Sequence, residues 1–476
     1  MVVRRTAELK LLEEQYAEAG NNLVILYGRK GMGKTTLLSE FLEDKLSVYY
    51  YEGTECVDQL QLLRMNQQVQ RVEDQNDIRK NEIHNNEIYN NEIHNNEVHK
   101  NEVLSYPLLF SQFIGRKEDK TIIVLDEFHY IMKNSPSFME TFKLLGDTNN
   151  SVMFLLCSSS IRWIENEMIS CLGTMASYIT AYLKLKEFTF VDFVNRFPKF
   201  SVETCIYINA ILGGIPEYLD EWKEDRSVQD NIIDLLLNKN SRLFMAPQQF
   251  LKLELREPAV YNTILSVMAE GNRKLNDLHA KTGFSRAKIS VYLKYLIQLD
   301  LVEKLTPLSE EGKENVQKGL YRIKDNFLSF WYRFVFPNLS DLMLRRVYLV
   351  YEERVVPYLT EYMGEYFADV CTEFLKLMNM HQRLPEKYLW WDRWYGKNGT
   401  IDILAQGETG KILVGKCLWD ERKADISDYE ALVLLSREAE KNPDYCYLFS
   451  KEGFTEKLRS KADEDKSIIL VGLDDL

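Results

Sequence analysis

The most informative segment of this sequence is residues 28–36, which read Gly28-Arg29-Lys30-Gly31-Met32-Gly33-Lys34-Thr35-Thr36. An apolar run from Leu23 to Tyr27 comes directly before it, and a helical pattern over residues 34–46 follows. The spacing GxxxxGK(S/T) between a strand and a helix is typical of a phosphate-binding loop (P-loop), because glycines allow the tight turn that points backbone N–H groups at phosphate oxygens. A second apolar run over residues 48–51 continues the alternation. The sequence therefore opens with an α/β fold built on a parallel sheet.

This loop predicts a site for ATP and Mg²⁺. We expect residues 28–36 to surround the phosphates and the Lys34 ammonium to reach the β- and γ-phosphates. The Thr35 hydroxyl is expected to bind Mg²⁺, which keeps most of its waters and takes few protein ligands.

Two later strands supply further candidate residues. An apolar run from Thr121 ends in Asp126-Glu127, and a run from Val152 ends in three serines that include Ser159. Paired acids also occur as plain strand ends, but in a chain with a P-loop they indicate a metal-associated carboxylate and a general base. We expect Asp126 to act on Mg²⁺, Glu127 to deprotonate the attacking water, and Ser159 to hydrogen-bond that water or the γ-phosphate.

Composition limits the class of protein. The chain has 476 residues, 45% of them hydrophobic, which predicts three or four domains. Its seven cysteines are scattered without CxxC spacing, which argues against a disulfide framework or a zinc site and favours the cytoplasm. We find no run of roughly eighteen apolar residues and no apolar signal core behind Met1, so we expect no membrane anchor. The formal net charge of −13 means that nucleic acid would need a local basic face.

A five-residue repeat interrupts the α/β pattern. Residues 81–103 repeat Asn-Glu-(Ile/Val)-His/Tyr-Asn, with one apolar residue in each unit. This period fits neither a helix nor a strand, so we expect a polar insertion over about residues 66–105; a small β-solenoid is the alternative. The repeat histidines lack acidic or cysteine partners at metal-ligand spacing. These histidines are His84, His94 and His99.

A winged-helix pattern follows farther along the chain. The expected helices span 258–270, 274–281 and 285–299, and the expected strands span 301–305 and 320–323. No acid occurs between Leu278 and Leu299. Arg286, Lys288 and Lys294 would form a basic face that can contact duplex DNA. The alternative is a module that contacts the nucleotide domain.

Together these elements resemble the archaeal-type AAA ATPases, a branch close to the signal-transduction NTPases. The resemblance also includes an Arg5-x-x-Glu8-Leu9 box and a Gly213-Gly214-Ile-Pro216 motif. It implies that Arg5 lies near the adenine and that Pro216 belongs to a helical lid over the nucleotide.

The resemblance extends over almost the whole chain. Residues 321–331 resemble the family's entry into a C-terminal domain, and residues 399–419 resemble the core of a restriction-endonuclease-like domain. It implies a P-loop AAA-type parallel sheet with a helical lid, then a winged helix and a small α/β domain. The expected ranges are 1–190, 191–255, 256–330 and 331–476.

One catalytic feature of the family is absent. The family often has a Gly-Arg pair that supplies an arginine finger, but this chain reads Gly173-Thr174 with no arginine before Lys184. Arg162 and Arg196 are the candidate substitutes. An arginine finger can raise the rate by about 10³ or more, so its absence favours slow hydrolysis and a switch over a motor.

The C-terminal domain departs from the nuclease pattern that it resembles. Nucleases of this type need an acid on one strand and Glu-x-Lys on the next. Asp402 is retained, but Lys416 and Leu418 stand where Glu and Lys are expected, and Ala368 replaces a helix acid. We therefore expect no cleavage unless Asp369 or Glu373 has taken over the role.

Three functions remain open from the sequence. The leading hypothesis is a protein that hydrolyses ATP slowly as a switch for DNA or protein binding, including binding to its own copies. The alternatives are an ATP-dependent DNA nuclease and a DNA-binding regulator with ATP as a structural ligand.

Overall fold

The computed structural model describes residues 5–69, 105–111, 120–146, 151–305 and 319–476. The chain divides into two compact units, the first ending at Lys186 and the second running from Glu187 to Leu476. The Asn-Glu repeat, with His84, His94 and His99, lies outside the described residues. No helix in the described ranges is both long and apolar enough to span a bilayer.

The first unit contains a parallel five-stranded sheet. Its strands are β1 (Asn22–Tyr27), β2 (Val48–Glu52), β3 (Thr121–Asp126), β4 (Val152–Ser158) and β5 (Ile179–Lys184). Their spatial order is β2-β3-β4-β1-β5, so β3, β4 and β1 are central and almost fully buried. The four strand positions expected from the sequence are confirmed. The edge strand β5 was missed because it alternates exposed and partly buried residues and is not a continuous apolar run.

Short helices cover this sheet. They are α1 (Thr6–Ala17), α2 (Lys34–Leu42), α3 (58–69), α4 (Tyr106–Ser111), α5 (Phe128–Asn134), α6 (Ile161–Trp163) and α7 (Ile169–Leu172). A π-helical turn, Ile164–Met168, joins α6 to α7, and 3-10 helices span Pro136–Gly146 and Gly173–Tyr178. Helix α2 ends four residues before the expected Leu46. The Leu46 side chain is 83% exposed, so it makes no apolar packing contact that would stabilise a further turn of the helix.

The second unit begins with a group of helices, called the lid region after the expectation from the sequence. It comprises α8 (Phe190–Arg196), α9 (Val202–Leu212), α10 (Pro216–Leu219), α11 (Val228–Asn231), a π-helix (Ile232–Leu237) and α12 (Ala246–Glu254). Serine and threonine side chains cap three of these helices, since Thr189, Ser201 and Ser227 accept hydrogen bonds from the first turns of α8, α9 and α11.

The winged helix follows as the sequence predicts. It comprises α13 (Pro258–Ala269), α14 (Leu275–Thr282), α15 (Arg286–Gln298), β6 (Val302–Leu305) and β7 (Leu320–Ile323). Ser285 caps α15 by accepting a 3.2 Å hydrogen bond from the Lys288 amide, and β6 pairs antiparallel with β7.

The C-terminal region is a helical segment followed by a mixed α/β domain. Its helices are α16 (Asn326–Phe330), α17 (Leu339–Met343), α18 (Val347–Val350), α19 (Val356–Met380), α20 (Ile426–Glu438) and α21 (Glu456–Glu464). Short π- and 3-10 helices are Trp331–Val335, Phe336–Asn338, Tyr351–Val355 and Leu473–Asp475. The strands are β8 (Tyr388–Tyr395), β9 (Thr400–Gly407), β10 (Ile412–Leu418), β11 (Tyr445–Ser450) and β12 (Ile468–Gly472), in the spatial order β12-β11-β10-β9-β8. Strands β8, β9 and β10 pair antiparallel, whereas β10, β11 and β12 are parallel.

The lid region and the C-terminal region share one core. The Tyr362 hydroxyl on α19 donates a 2.9 Å hydrogen bond to the Ala210 carbonyl on α9. Glu373, also on α19, accepts a 2.7 Å hydrogen bond from the Phe190 amide at the start of α8. One continuous apolar cluster runs through these helices, so the second unit packs as a single body.

Candidate functional site

The loop after β1 has the geometry that phosphate binding requires. Gly33 has φ of +82°, a left-handed conformation that favours glycine, and it caps the N-terminus of α2. At Gly28 a Cβ atom would lie 2.8 Å from the Leu185 carbonyl oxygen, so only glycine fits. The first amides of α2 have no preceding helical carbonyl to bind and therefore point out of the helix end.

Lys34 crosses the mouth of this loop. Its ammonium donates hydrogen bonds to the carbonyls of Gly28 at 2.8 Å and Arg29 at 3.3 Å, and its side chain is buried. Burial lowers the pKa of Lys34, while the nearby carboxylates of Glu127 and Asp126 act to raise it. Thr35 and Thr36 follow on α2 and are exposed, as is Lys30, whereas Arg29 and Met32 are buried.

Asp126 ends the central strand β3. Its carboxylate accepts a 2.8 Å hydrogen bond from the Tyr50 hydroxyl and a 2.9 Å bond from the Glu127 amide. Burial and the adjacent Asp126 charge raise the pKa of Tyr50, which stays a proton donor. The Asp126 carboxyl group is therefore buried and held by hydrogen bonds from two sides.

Glu127 has an unusual backbone that directs its side chain toward β4. Its φ and ψ are 47° and 38°, a left-handed conformation at the start of α5. The carboxylate oxygen Oε2 accepts 2.9 Å hydrogen bonds from both the amide and the hydroxyl of Ser159. Burial alone would raise the pKa of Glu127, but the bonds from His129 and Ser159 and the Lys34 charge lower it to about 2.

His129 is a site residue that the sequence did not suggest. Its Nδ1 lies 3.3 Å from Glu127 Oε2 and 3.0 Å from the Ser158 hydroxyl, and the ring is buried. Residues two apart on a helix face different directions. The left-handed backbone at Glu127 brings the side chains of Glu127 and His129 together. No sequence pattern predicts that backbone conformation.

Arg5 lies beside the loop and bonds to its backbone. Its Nη2 donates hydrogen bonds to the Met32 carbonyl at 2.9 Å and the Lys186 carbonyl at 2.8 Å, and Nη1 donates to Glu8 at 3.1 Å. Pro216, the lid residue, belongs to the second unit and occupies the first position of α10.

The two candidate arginine fingers have different surroundings. Arg162 is exposed on α6 in the first unit. Arg196 forms an ion pair with Asp220 within the second unit.

Residues 2–222 match the family model of an ATPase domain found predominantly in archaea. This N-terminal segment belongs to the archaeal-type P-loop ATPase domains. In this ATPase, residues 262–304 match a model of bacterial regulatory proteins of the ArsR family, a helix-turn-helix type. Residues 331–429 match a family of archaeal and bacterial proteins of unknown function.

Three relatives illustrate the similarity. An uncharacterized protein of Methanocaldococcus jannaschii is 28% identical over 479 residues, covering 96% of this ATPase and 100% of the relative. An uncharacterized ATP-binding protein of the same organism is 51% identical over 45 residues, which cover 10% of this ATPase and 76% of the relative. The solved structure of a Walker-type ATPase of Pyrococcus abyssi is 16% identical, with 70% of this chain and 96% of that chain covered at a TM-score of 0.47.

The C-terminal region of this ATPase pairs the acids that the sequence suggested for metal binding with bases. Asp402 on β9 lies 3.1 Å from the Lys416 ammonium on β10 and accepts a 2.9 Å hydrogen bond from the Cys417 amide. Asp369 on α19 accepts hydrogen bonds from Arg322 and Arg393, both at 2.9 Å. The described part of the chain contains no group of three or more His, Cys, Asp or Glu side chains that could hold a metal.

The basic face of the winged helix is open to solvent. Arg286, Lys288 and Lys294 are all exposed on α15. The Lys288 ammonium lies 4.7 Å from the centre of the Phe284 ring, and Lys294 lines a groove of about 340 Å³ together with Tyr321. The cations are thus held at a surface with aromatic neighbours, an arrangement that suits contact with phosphates and bases.

Proposed function

We propose that this ATPase binds ATP with Mg²⁺ and hydrolyses it slowly, as a switch that controls binding of DNA or protein. The observation that carries the proposal is the position of Glu127. Its carboxylate sits at the end of β3, held by Ser159 from β4 and within the electrostatic reach of Lys34 in the P-loop. A base, a cation for phosphates and a helix N-terminus occur in one site.

The side chains present fit Mg²⁺ in this role. Thr35 offers a hydroxyl and Asp126 a carboxylate, which are the oxygen donors that Mg²⁺ takes when substrate phosphates and waters complete its shell. Magnesium would neutralise charge on the phosphates. Lys34 would bind the β- and γ-phosphates, Glu127 would accept the proton of the attacking water, and Ser159 would orient Glu127.

Two features support slow turnover. General-base catalysis is most effective when the base has a pKa near the working pH, and the hydrogen bonds of His129 and Ser159 hold the pKa of Glu127 at about 2. The stretch from Gly173 to Lys184 also contains no arginine. We propose that the time for which ATP stays bound, and not the rate at which ADP and phosphate form, controls when the protein binds its partner.

Replacing Lys34 with alanine tests whether this loop binds ATP. Removing the ammonium takes away a charge-assisted contact to phosphate, so we expect the ATP dissociation constant to rise by about tenfold or more and phosphate release to fall below detection. Isothermal titration calorimetry with Mg·ATP measures the first effect and a phosphate-release assay the second.

Lys45→Ala provides the control for that experiment. Lys45 is a buried lysine of the same unit that bonds Glu13 and Asp44 at 3.0 Å and 2.8 Å, away from the loop. It should bind ATP as the wild type does. Equal losses in both variants, or unchanged affinity in Lys34→Ala, would contradict a nucleotide site at residues 28–36.

The exposed cations of α15 favour duplex DNA as the partner. The simultaneous replacement of Arg286, Lys288 and Lys294 by alanine should weaken DNA binding by about tenfold or more at physiological salt. Each lost phosphate contact should reduce the slope of log K against log salt by about 0.9. Fluorescence anisotropy with a labelled duplex at several salt concentrations measures both quantities.

A control variant with the same charge change lies in the C-terminal domain. It carries alanine at three exposed lysines, Lys397, Lys411 and Lys423. Equal DNA affinity in the two triple variants would reject the α15 face and leave a protein partner. Repeating the binding with and without ATP separates a switch from a regulator that holds ATP structurally. We propose that the DNA stays uncut with Mg²⁺ or Mn²⁺, because Asp402 is paired with Lys416.

A further inference from the structure

One nitrogen of Arg5 joins the P-loop to the segment that leaves the first unit. Nη2 carries two hydrogens and donates to two carbonyls, Met32 in the loop at 2.9 Å and Lys186 at 2.8 Å. The Arg5 side chain is only 10% exposed, and Glu8 holds its other terminal nitrogen at 3.1 Å. These bonds are charge-assisted, and the one to Met32 is partly buried, so they are stronger than bonds between neutral groups.

The same segment also lies against the start of the loop. The Leu185 amide donates a 2.7 Å hydrogen bond to the Tyr27 carbonyl, directly before the loop. At Gly28 even a single added methyl group would meet the Leu185 carbonyl oxygen at 2.8 Å. Leu185 therefore packs against Gly28, the first residue of the loop. Lys186 is linked to Met32 in the same loop through the hydrogen bonds of Arg5.

This arrangement has a consequence for any motion of the loop. If phosphate binding displaces the Met32 carbonyl, Arg5 keeps its hydrogen bonds to both carbonyls only when the Lys186 carbonyl moves with it. The chain passes from Lys186 into the second unit at Glu187. The hydrogen bond from Arg5 to Lys186 thus lies at the segment of chain that connects the first unit to the lid region.

We propose that Arg5 is a positioning residue that couples the conformation of the P-loop to the linker at residues 185–187. In the absence of nucleotide it holds loop and linker together, and when ATP is bound it transmits the altered position of Met32 to the linker. Only the second statement rests on the proposed function. The expectation from the resemblance, that Arg5 lies near the adenine, gives this arginine a different role, in binding the nucleotide.

Hydrogen–deuterium exchange on the full chain tests this coupling. In the nucleotide-free protein, Arg5→Ala should speed exchange by about tenfold both in a peptide covering residues 28–36 and in one covering 183–190. At saturating ATP, the wild type should show a changed exchange of the linker peptide relative to its nucleotide-free form. Arg5→Ala should lose that ATP-dependent change in the linker while keeping the one in the loop.

Lys45→Ala is the matched control, because Lys45 also bonds helix α1 through Glu13 but contacts neither loop nor linker. It should leave both peptides unchanged. Faster exchange in only one peptide of Arg5→Ala, or an intact ATP-dependent change in its linker, would overturn the coupling. Calorimetry on the wild type reports ATP binding separately: if ATP fails to bind, the proposed function fails, and the nucleotide-free comparison still decides whether Arg5 joins the two segments.

Discussion

Replacing Glu127 with glutamine is expected to reduce ATP turnover by about 10²–10⁴-fold and to leave ATP affinity within a few-fold of the wild type. Glutamine keeps the size of the side chain and can still accept hydrogen bonds from the Ser159 amide and hydroxyl, which lie at 2.9 Å in the wild type. It cannot accept a proton from water. Single-turnover phosphate release and calorimetry with Mg·ATP separate the chemical step from binding.

Glu52→Gln is the control for this substitution. Glu52 ends β2 and pairs in register with Asp126, so it lies at the same edge of the sheet, but its side chain is exposed. Its replacement makes the same chemical change and should leave turnover within about twofold. If Glu127→Gln hydrolyses ATP at the wild-type rate, another group activates the water and the role proposed for Glu127 is wrong.

The nucleotide-binding fold was predictable because its signals are local. A glycine-rich turn between a buried strand and a helix, and an acid pair after another buried strand, each occupy fewer than about ten residues and carry their own geometry. The winged helix was predictable for the same reason: Pro258 starts α13 and Ser285 caps α15. The bounds of the winged-helix elements agree with the structure to within about one residue, whereas α2 ends four residues before its expected end.

The contacts that define the site were less predictable. His129 reaches Glu127 only through a left-handed backbone residue, and Arg5 reaches Lys186 across 181 positions of sequence. The order β2-β3-β4-β1-β5 follows from crossovers between strands that are distant in sequence. These contacts and the strand order depend on tertiary packing, so they cannot be predicted from residue type and spacing alone.

The C-terminal domain shows the same limit. Its sequence indicated that Lys416 replaces an acid, and the structure places that lysine 3.1 Å from Asp402. The pairing of Asp369 with Arg322 was not visible, since Arg322 belongs to the winged helix and lies 47 residues earlier. An acid that seemed available for a metal is instead part of a contact between domains of the second unit.

That contact carries the second large expected effect. Arg322 on β7 donates to both oxygens of Asp369 on α19, at 3.1 Å and 2.9 Å, and its Nε donates to Glu303 on β6 at 2.8 Å. Its side chain is 17% exposed, and the surrounding carboxylates raise the pKa of Arg322 despite burial. The guanidinium therefore fixes the winged helix against the C-terminal helix.

Arg322→Met is expected to lower the free energy of unfolding of the second unit by about 3 kcal/mol. Methionine fills much of the space but leaves the carboxylate of Glu303 without Arg322, while Asp369 keeps Arg393 at 2.9 Å and Glu365 keeps Arg273 at 2.6 Å. Six of the seven tryptophans lie in the second unit, so urea unfolding followed by tryptophan fluorescence measures the change.

Arg346→Met removes a comparable Arg–Asp pair at the surface of the same unit. Arg346 and Asp341 are 3.0 Å apart with side chains 57% and 40% exposed, and such pairs contribute less than about 1 kcal/mol. A similar small loss in both variants would mean that the winged helix is held by apolar packing alone. A large loss confined to Arg322→Met would mean that charge sets the orientation of the basic face of α15. Glu303 then loses the cation that Arg322 supplies, whereas Asp369 and Glu365 keep Arg393 and Arg273.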